Sequence, residues 1–456
     1  MECSMLLLEK YNKEIPRYTS YPTVPFWTDN LDQELYLSEF QSRFSVCNKK
    51  EGISVYIHLP FCDSLCTYCG CNKVITTQHE AVEDPYIHAI LKEWDLYLQK
   101  MKDRPLIREL HLGGGTPTYF SGPNLQKLLA GIYAKANIHP QIECSIEGHP
   151  NNTTREHLEV LRLFGFKRIS FGVQDHDPEV QKIINRIQPY QQVKNVTNWA
   201  REAGFQSVNF DLIYGLPLQT IRTIEKTILD TIALKPDRIA FYSYAHIPWK
   251  ARGQRLYDET DLPSPSQKLA FYALGRKLFM EAGYKDIGMD HFALPTDSLY
   301  EAAVQGRLHR NFMGYTTTNT RFLIGLGVSA ISDIGSAYAQ NDKKLAGYYR
   351  AIHNGDFPVQ RGCLLDKTDI HFRHYILELA CKGKAVIQPA HFEWVRKVAG
   401  DDLSQMTEDG LTLQNQNEII VTDKGKMFLR NICHLLDRKA RSVIAEKAGH
   451  MFSKAV

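Results

Sequence analysis

Six short apolar runs punctuate the first half of the chain, at 53–59, 107–112, 141–146, 168–173, 207–213 and 238–244. Each is too short for a packed helix and predicts a strand. Between them, apolar positions recur every three or four residues over 84–101, 124–136, 154–164, 178–203 and 220–234, which is the helical period. Strands alternating with helices at roughly thirty-residue spacing predict βαβ units and a parallel sheet. Such connections wind right-handed, so six in succession curl into a partial (βα)6 barrel. A doubly wound sheet is the alternative, because the pattern does not set strand order.

The flanks follow other patterns. Residues 16–23, Pro-Arg-Tyr-Thr-Ser-Tyr-Pro-Thr, are bracketed by prolines and predict an extended arm, read as a surface tether or a segment crossing a pocket mouth. Amphipathic helices are predicted at 32–44 and 264–282. From about residue 365 come charged helical patterns at 369–381 and 391–399, a strand pair at 411–414 and 419–421, and a helix at 423–436. That order suggests a winged-helix-like module, with a packing cap as its plainer alternative. The implied division is an arm at 1–50, a barrel with its extension at 51–362 and a small, mostly helical C-terminal unit at 363–456.

Nearly every predicted strand runs into a chemically distinctive tail. The second leads to Gly113-Gly114-Gly115-Thr116, the third to Glu147-Gly148-His149, the fourth to Gln174-Asp175, the fifth to Asp211 and the sixth to Tyr244-Ala245-His246. Carboxyl ends of parallel strands are where α/β folds place ligands. Glycines without Cβ let backbone amides approach a ligand directly. Glu147 suits hydroxyl or ammonium donors, and Arg186 suits a carboxylate. His58, His111 and His149 are read as packing residues.

The first strand enters Phe61-Cys62-Asp63-Ser64-Leu65-Cys66-Thr67-Tyr68-Cys69-Gly70-Cys71-Asn72, which holds four of the ten cysteines. Three thiolates spaced C-x3-C-x2-C close neither a four-ligand zinc site nor an ordinary four-cysteine iron–sulfur cube. A zinc knuckle and buried thiols are the competing readings. The spacing resembles that of the radical S-adenosylmethionine (SAM) superfamily, in which one iron stays open.

Composition narrows the partners. A hydrophobic fraction of 43% and a charged fraction of 23% are those of a globular protein. A formal net charge of +3 and the lack of an Arg/Lys-aromatic cluster argue against nucleic acid. No apolar run approaches membrane-span length, and the N-terminus is a poor signal peptide. The remaining cysteines are scattered singly, as in a reducing compartment, so a cytoplasmic protein is expected.

Residues 16–23, His58-Leu59-Pro60-Phe61-Cys62, Cys69-Gly70-Cys71-Asn72, 113–118, 211–217 and Asn311-Phe312 together resemble the oxygen-independent coproporphyrinogen III oxidase (coproporphyrinogen dehydrogenase) family, from the arm to Leu429-Arg430-Asn431-Ile432. The resemblance implies decarboxylation of two propionates of coproporphyrinogen III to vinyls in heme (porphyrin) biosynthesis, with a 4Fe-4S cluster and two SAM. Cys62, Cys66 and Cys69 would hold the cluster. Tyr56, Gly114, Glu147 and Ile331 would contact one SAM. Tyr68, Gly115, Thr116, Gln174, Arg186, Asp211 and Ala245 would contact the other. Cys71 would matter for activity without ligating iron. A monomer supplied by an unidentified electron donor is expected. Gly148-His149 and Met313 depart from the usual Val-Asp and Gln of the family. A heme methyltransferase or ring-opening enzyme and a heme chaperone are the alternative functions.

Overall fold

The computed structural model describes residues 2–249 and 251–443. Six strands form its centre: β1 (Ile53–Leu59), β2 (Leu106–Gly114), β3 (Asn137–Gly148), β4 (Phe166–Gln174), β5 (Ser207–Tyr214) and β6 (Arg238–Ser243). They neighbour one another in sequence order, and every adjacent pair is parallel. A doubly wound sheet would reverse direction at a switch point; this one does not, so the barrel winding holds. The sheet is extended rather than closed. Leu323–Leu326 pairs in parallel with the free edge of β1, followed by antiparallel Ile331–Asp333, Ala337–Asn341 and Val359–Leu364. Past β6 lie His291–Ala293 and Lys285–Gly288.

Period-two alternation gives the strands two unlike faces. On β1, Val55, Ile57 and Leu59 join the apolar core beneath the helices. Helix His79–Lys100 contributes Tyr86, Ile87, Ile90 and Trp94 to it, and helix Gly122–Tyr133 contributes Leu125, Leu128, Leu129 and Ile132. Each such side chain contributes about 1.5–3 kcal/mol by leaving water. Alternate residues turn into the barrel and are polar: Glu109 and His111, Ser145 and Glu147, Ser170, Asn209 and Asp211 line a small internal cavity.

The helix predicted over 178–203 is two, Pro178–Ile183 and Tyr190–Glu202. Asn185 takes a left-handed φ of 51° and Pro189 precedes the second helix, so the axis breaks between them. Arg186 sits in that break.

The arm is no surface tether. Tyr18 and Tyr21 are buried. The Tyr18 hydroxyl donates to Asp437 at 3.0 Å, Asn431 Nδ2 to the Tyr11 carbonyl at 2.7 Å, and Arg430 to the Ile15 carbonyl. The segment is strapped between the barrel and the C-terminal helices. Helix Gln33–Lys50 buries Tyr36, Phe40 and Phe44 in the barrel's own core cluster. At the far end, helices Lys367–Lys382 and Pro389–Glu408 flank a three-stranded sheet of Lys384–Val386, Glu418–Val421 and Thr412–Asn415. The Arg373–Asp333 ion pair fastens this unit to the sheet extension, and a Tyr315 hydroxyl bond to the Ala380 carbonyl at 2.8 Å fastens it to the hairpin of His309–Asn311 and Gly314–Thr316. It packs as a cap. Residues 444–456, placed above in the C-terminal unit, lie outside the described residues. Among the described residues, no helix is long and apolar enough to cross a membrane.

Candidate active site

The cysteine loop is pinned at its neck. Phe61–Cys62 pairs with Val74–Ile75, and Thr76 N donates to the Cys62 carbonyl at 3.0 Å. Cys62, Cys66 and Cys69 are half-buried and line a cavity of about 490 Å³ at the carboxyl rim of the barrel. Cys62 Sγ lies 3.3 Å from the Thr116 hydroxyl, and Arg186 Nη1 donates to Cys66 Sγ at 3.3 Å. Burial pushes the Cys62 thiol up to about 11. A bond from the Cys71 thiol, outweighing burial, pulls Cys69 down to about 6. Among the described residues no His, Cys, Asp and Glu set gathers around a point that one ion could fill. A cube takes each thiolate on its own iron, so three half-exposed thiols facing an open cavity fit a cluster.

The triglycine turn is tight for steric reasons. A Cβ at Gly115 would stand 2.4 Å from the Pro60 carbonyl oxygen and 3.1 Å from Cys62 Sγ. Gly114 has a φ of 123°, where a side chain would be strained, and its Cβ would meet the His58 ring at 2.8 Å. Gly114 N donates to Glu147 Oε2 at 3.1 Å. Burial would raise the Glu147 carboxyl, but the bond from His111 at 3.4 Å and the Gly114 amide hold it below the usual range. His111 also stacks on Tyr56, and His58 bridges the Tyr56 hydroxyl at 3.1 Å and the Asn72 carbonyl at 3.0 Å. These two histidines, read from sequence as packing residues, orient Glu147 and Tyr56. Their positions two residues apart from other inward polar groups on β1 and β2 carried that signal.

On the other wall, Asp211 accepts from the Ser170 hydroxyl at 2.9 Å and Asn209 Nδ2 at 2.8 Å. Neither bond offsets burial, which raises its carboxyl to about 6. Arg186 also donates to the Gly172 carbonyl at 2.6 Å, which fixes its fork toward the cysteines. Gln174, at a left-handed φ of 67°, closes this wall.

Of the residues singled out from sequence, Cys62, Cys66, Cys69, Cys71, Tyr68, Gly114, Gly115, Thr116, Glu147, Gln174, Arg186 and Asp211 line the cysteine cavity. Tyr56 and Ile331 line an adjoining cavity of about 730 Å³, which shares Cys71, Gly114 and Glu147 with it. Ala245 lines neither and belongs to a third cavity. Gln254 links it back, donating to the Ala245 carbonyl at 3.3 Å and the Tyr68 carbonyl at 2.9 Å. Gln254 lies outside every motif in the sequence and carries no spacing signal, while Arg17 and Arg310 stand within residues 16–23 and beside Asn311-Phe312, where the motifs alone give them no role. Met313 lines both the internal cavity and the adjoining one.

Thiols on a loop at the rim of an open parallel barrel define a class first. Residues 56–231 match the model described as the Radical SAM superfamily, and the chain is a radical SAM enzyme. Along its whole length it is 37% identical to the oxygen-independent coproporphyrinogen III oxidase of Synechocystis sp., covering 98% of that protein. It is 38% identical to that of Escherichia coli, over 97% of this chain and 96% of the relative. The solved structure of coproporphyrinogen III oxidase from Escherichia coli, a radical SAM enzyme, superposes with a TM-score of 0.85 at 37% identity, over 95% of this chain and 98% of that one. The chain belongs to the oxygen-independent coproporphyrinogen III oxidase family, and it is an oxidoreductase.

Proposed function

We propose that this chain converts coproporphyrinogen III to protoporphyrinogen IX without oxygen, in heme biosynthesis. The full-length match to the curated oxidases, arm and C-terminal cap included, carries the assignment. Each of two side chains changes from –CH2–CH2–COO⁻ to –CH=CH2 plus CO2, giving up one hydrogen atom from the β-carbon and one electron to an acceptor. When bound, a 4Fe-4S cluster and SAM supply one-electron cleavage of SAM to methionine and a hydrogen-abstracting 5′-deoxyadenosyl radical.

The chain's own residues place and shield these reactants. Cys62, Cys66 and Cys69 would each take one iron, leaving the fourth for the amino and carboxylate groups of SAM. Tyr56, Gly114, Glu147 and Ile331 would hold one SAM. Glu147, kept ionised by His111, suits an ammonium or ribose hydroxyl. Tyr68, Gly115, Thr116, Gln174, Arg186, Asp211 and Ala245 would hold a second, Ala245 through its link to Tyr68. Cys71 would support activity without ligating iron. Arg17 and Thr19, from the strap formed by residues 16–23, line the cavity adjoining the cysteines. We assign the enzyme as a cytoplasmic monomer fed by a separate electron donor, with functional divisions at 1–50, 51–362 and 363–456.

Anaerobic incubation of the reconstituted enzyme with coproporphyrinogen III, SAM and a reductant tests this. Protoporphyrinogen IX is the expected product. Methylated or ring-opened tetrapyrrole, or stoichiometric heme retention without SAM consumption, would contradict it.

A further inference from the structure

The 730 Å³ cavity beside Glu147 contains a guanidinium that the SAM-binding residues leave unused. Arg310 is 6% exposed. It lies on strand His309–Asn311, which forms a hairpin with Gly314–Thr316. Its guanidinium stands 4.6 Å from the centre of the Tyr315 ring, and Nη2 reaches the Arg17 carbonyl at 3.5 Å. Nε and Nη1 have no hydrogen-bond partner. Among the described residues no carboxylate lies within ion-pair distance of it.

A buried cation with unpaired N–H groups is costly. Nearly all buried donors in folded proteins are satisfied, so a cavity-lining arginine with two buried, unpartnered N–H groups marks a place that a ligand completes. A guanidinium fork matches a carboxylate in two parallel bonds. Arg17, from the arm, lines the same cavity; it donates to the Ser243 carbonyl at 3.0 Å and lies over the Tyr242 ring. Two acidic groups also face this space, Glu147 and Asp290. Glu147 is already engaged by His111 and Gly114.

We propose that Arg310, steadied by the Tyr315 ring and the Arg17 carbonyl, receives one propionate carboxylate of the tetrapyrrole. This rests on the coproporphyrinogen reading above. A SAM carboxylate is the competing source of the same chemistry. It is disfavoured because that group is expected at the open iron, and Arg310 does not line the cavity of the three cysteines.

The test measures KM and kcat for coproporphyrinogen III and for SAM in the anaerobic holoenzyme of wild type, Arg310→Gln and Arg310→Lys. Removing one partner of a buried, hydrogen-bonded charge pair typically costs enough to weaken binding about 30-fold. Arg310→Gln is expected to raise the porphyrinogen KM about 30-fold and leave the SAM KM unchanged. Arg310→Lys, which keeps the charge and loses the fork, is expected to fall between, and it carries the test if the Gln variant does not fold. Fluorescence titration of each holoenzyme with coproporphyrin III should give the same order, and coproporphyrin tetramethyl ester should not distinguish the variants. Thermal unfolding separates binding from scaffolding: the Gln variant should melt no lower than wild type, because an unpaired buried charge has gone.

An unchanged porphyrinogen KM in both variants overturns the subsite and leaves the functional reading standing. A rise confined to the SAM KM, or a large drop in melting temperature with tetraester binding equally weakened, also overturns it. Wild-type enzyme that does not turn over coproporphyrinogen III overturns the functional reading, and the subsite with it.

Discussion

Replacing Gly115 by alanine adds one methyl group at the point where the glycine turn crosses the neck of the cysteine loop. That methyl carbon would stand 2.4 Å from the Pro60 carbonyl oxygen, 2.6 Å from its carbon and 3.1 Å from Cys62 Sγ. Carbon contacts are comfortable at about 3.5 Å or beyond, so the two backbone segments must part by about 1 Å. They are tied: Gly115 N donates to the Leu59 carbonyl at 2.9 Å and Thr116 N to the Phe61 carbonyl at 3.0 Å. Overpacking costs about 1–3 kcal/mol, and each strained bond puts about 0.5–1.5 kcal/mol more at risk. The push falls on Cys62, so the loss should extend from stability to cluster loading. Gly70→Ala is the control within the same loop, because its Cβ would meet nothing within 4 Å. Iron and sulfide content after anaerobic reconstitution, with thermal unfolding, should show Gly115→Ala losing iron and melting lower while Gly70→Ala matches wild type in both. A fully loaded, equally stable Gly115→Ala protein would refute the steric argument, as would Gly70→Ala damaged to the same degree.

Three further outcomes follow from the site. Cys66→Ala should abolish cluster assembly, since two thiolates cannot hold a cube; an intact cluster absorbance spectrum would contradict the ligand set. Arg186→Leu removes a buried cation bonded to the Gly172 carbonyl and Cys66 Sγ. Bonds to charged groups contribute about 1.5–3 kcal/mol, so SAM affinity should fall roughly 10- to 100-fold in equilibrium dialysis with the cluster retained. Asp211, raised to about 6 by burial, is ionised above that pH and neutral below it. SAM binding should therefore weaken as pH falls through about 6, and Asp211→Asn should flatten this dependence. The stability sign is opposite: the folded state holds an extra proton between the usual carboxylate range and about 6, so ligand-free stability falls as pH rises through that window.

Much of the barrel was legible because its signal is local. The apolar run at 53–59 coincides with β1, and the other five strands were found to within a few residues. β3 begins at Asn137, earlier than its apolar run, because Asn137 and Ile138 are held by pairing to Leu106 and Ile107. That is a non-local cause the pattern does not carry. The break at residues 184–189 was hidden by continuous helical periodicity on both sides, although Asn185 and Pro189 are both turn formers. The tether reading of the arm fails because its burial depends on partners more than 400 residues away, at Asn431 and Asp437, whereas the reading as a segment at a pocket mouth agrees with Arg17 and Thr19 lining the adjoining cavity. The cysteine loop and glycine turn stood out as dense motifs. The inward polar positions of β1 to β5 are equally regular, but a histidine near a strand end does not reveal its partners, so His58 and His111 read as packing residues although they bond Tyr56 and Glu147. The antiparallel extension from Leu323 to Leu364 is built from short strands whose order only tertiary contacts establish.

The central claim is that two propionates are each converted by one reductive cleavage of SAM. Counting 5′-deoxyadenosine, methionine and CO2 against protoporphyrinogen IX in a single anaerobic reaction tests it most directly. The predicted result is two of each per protoporphyrinogen. SAM converted to S-adenosylhomocysteine, or tetrapyrrole bound with SAM left intact, would contradict it.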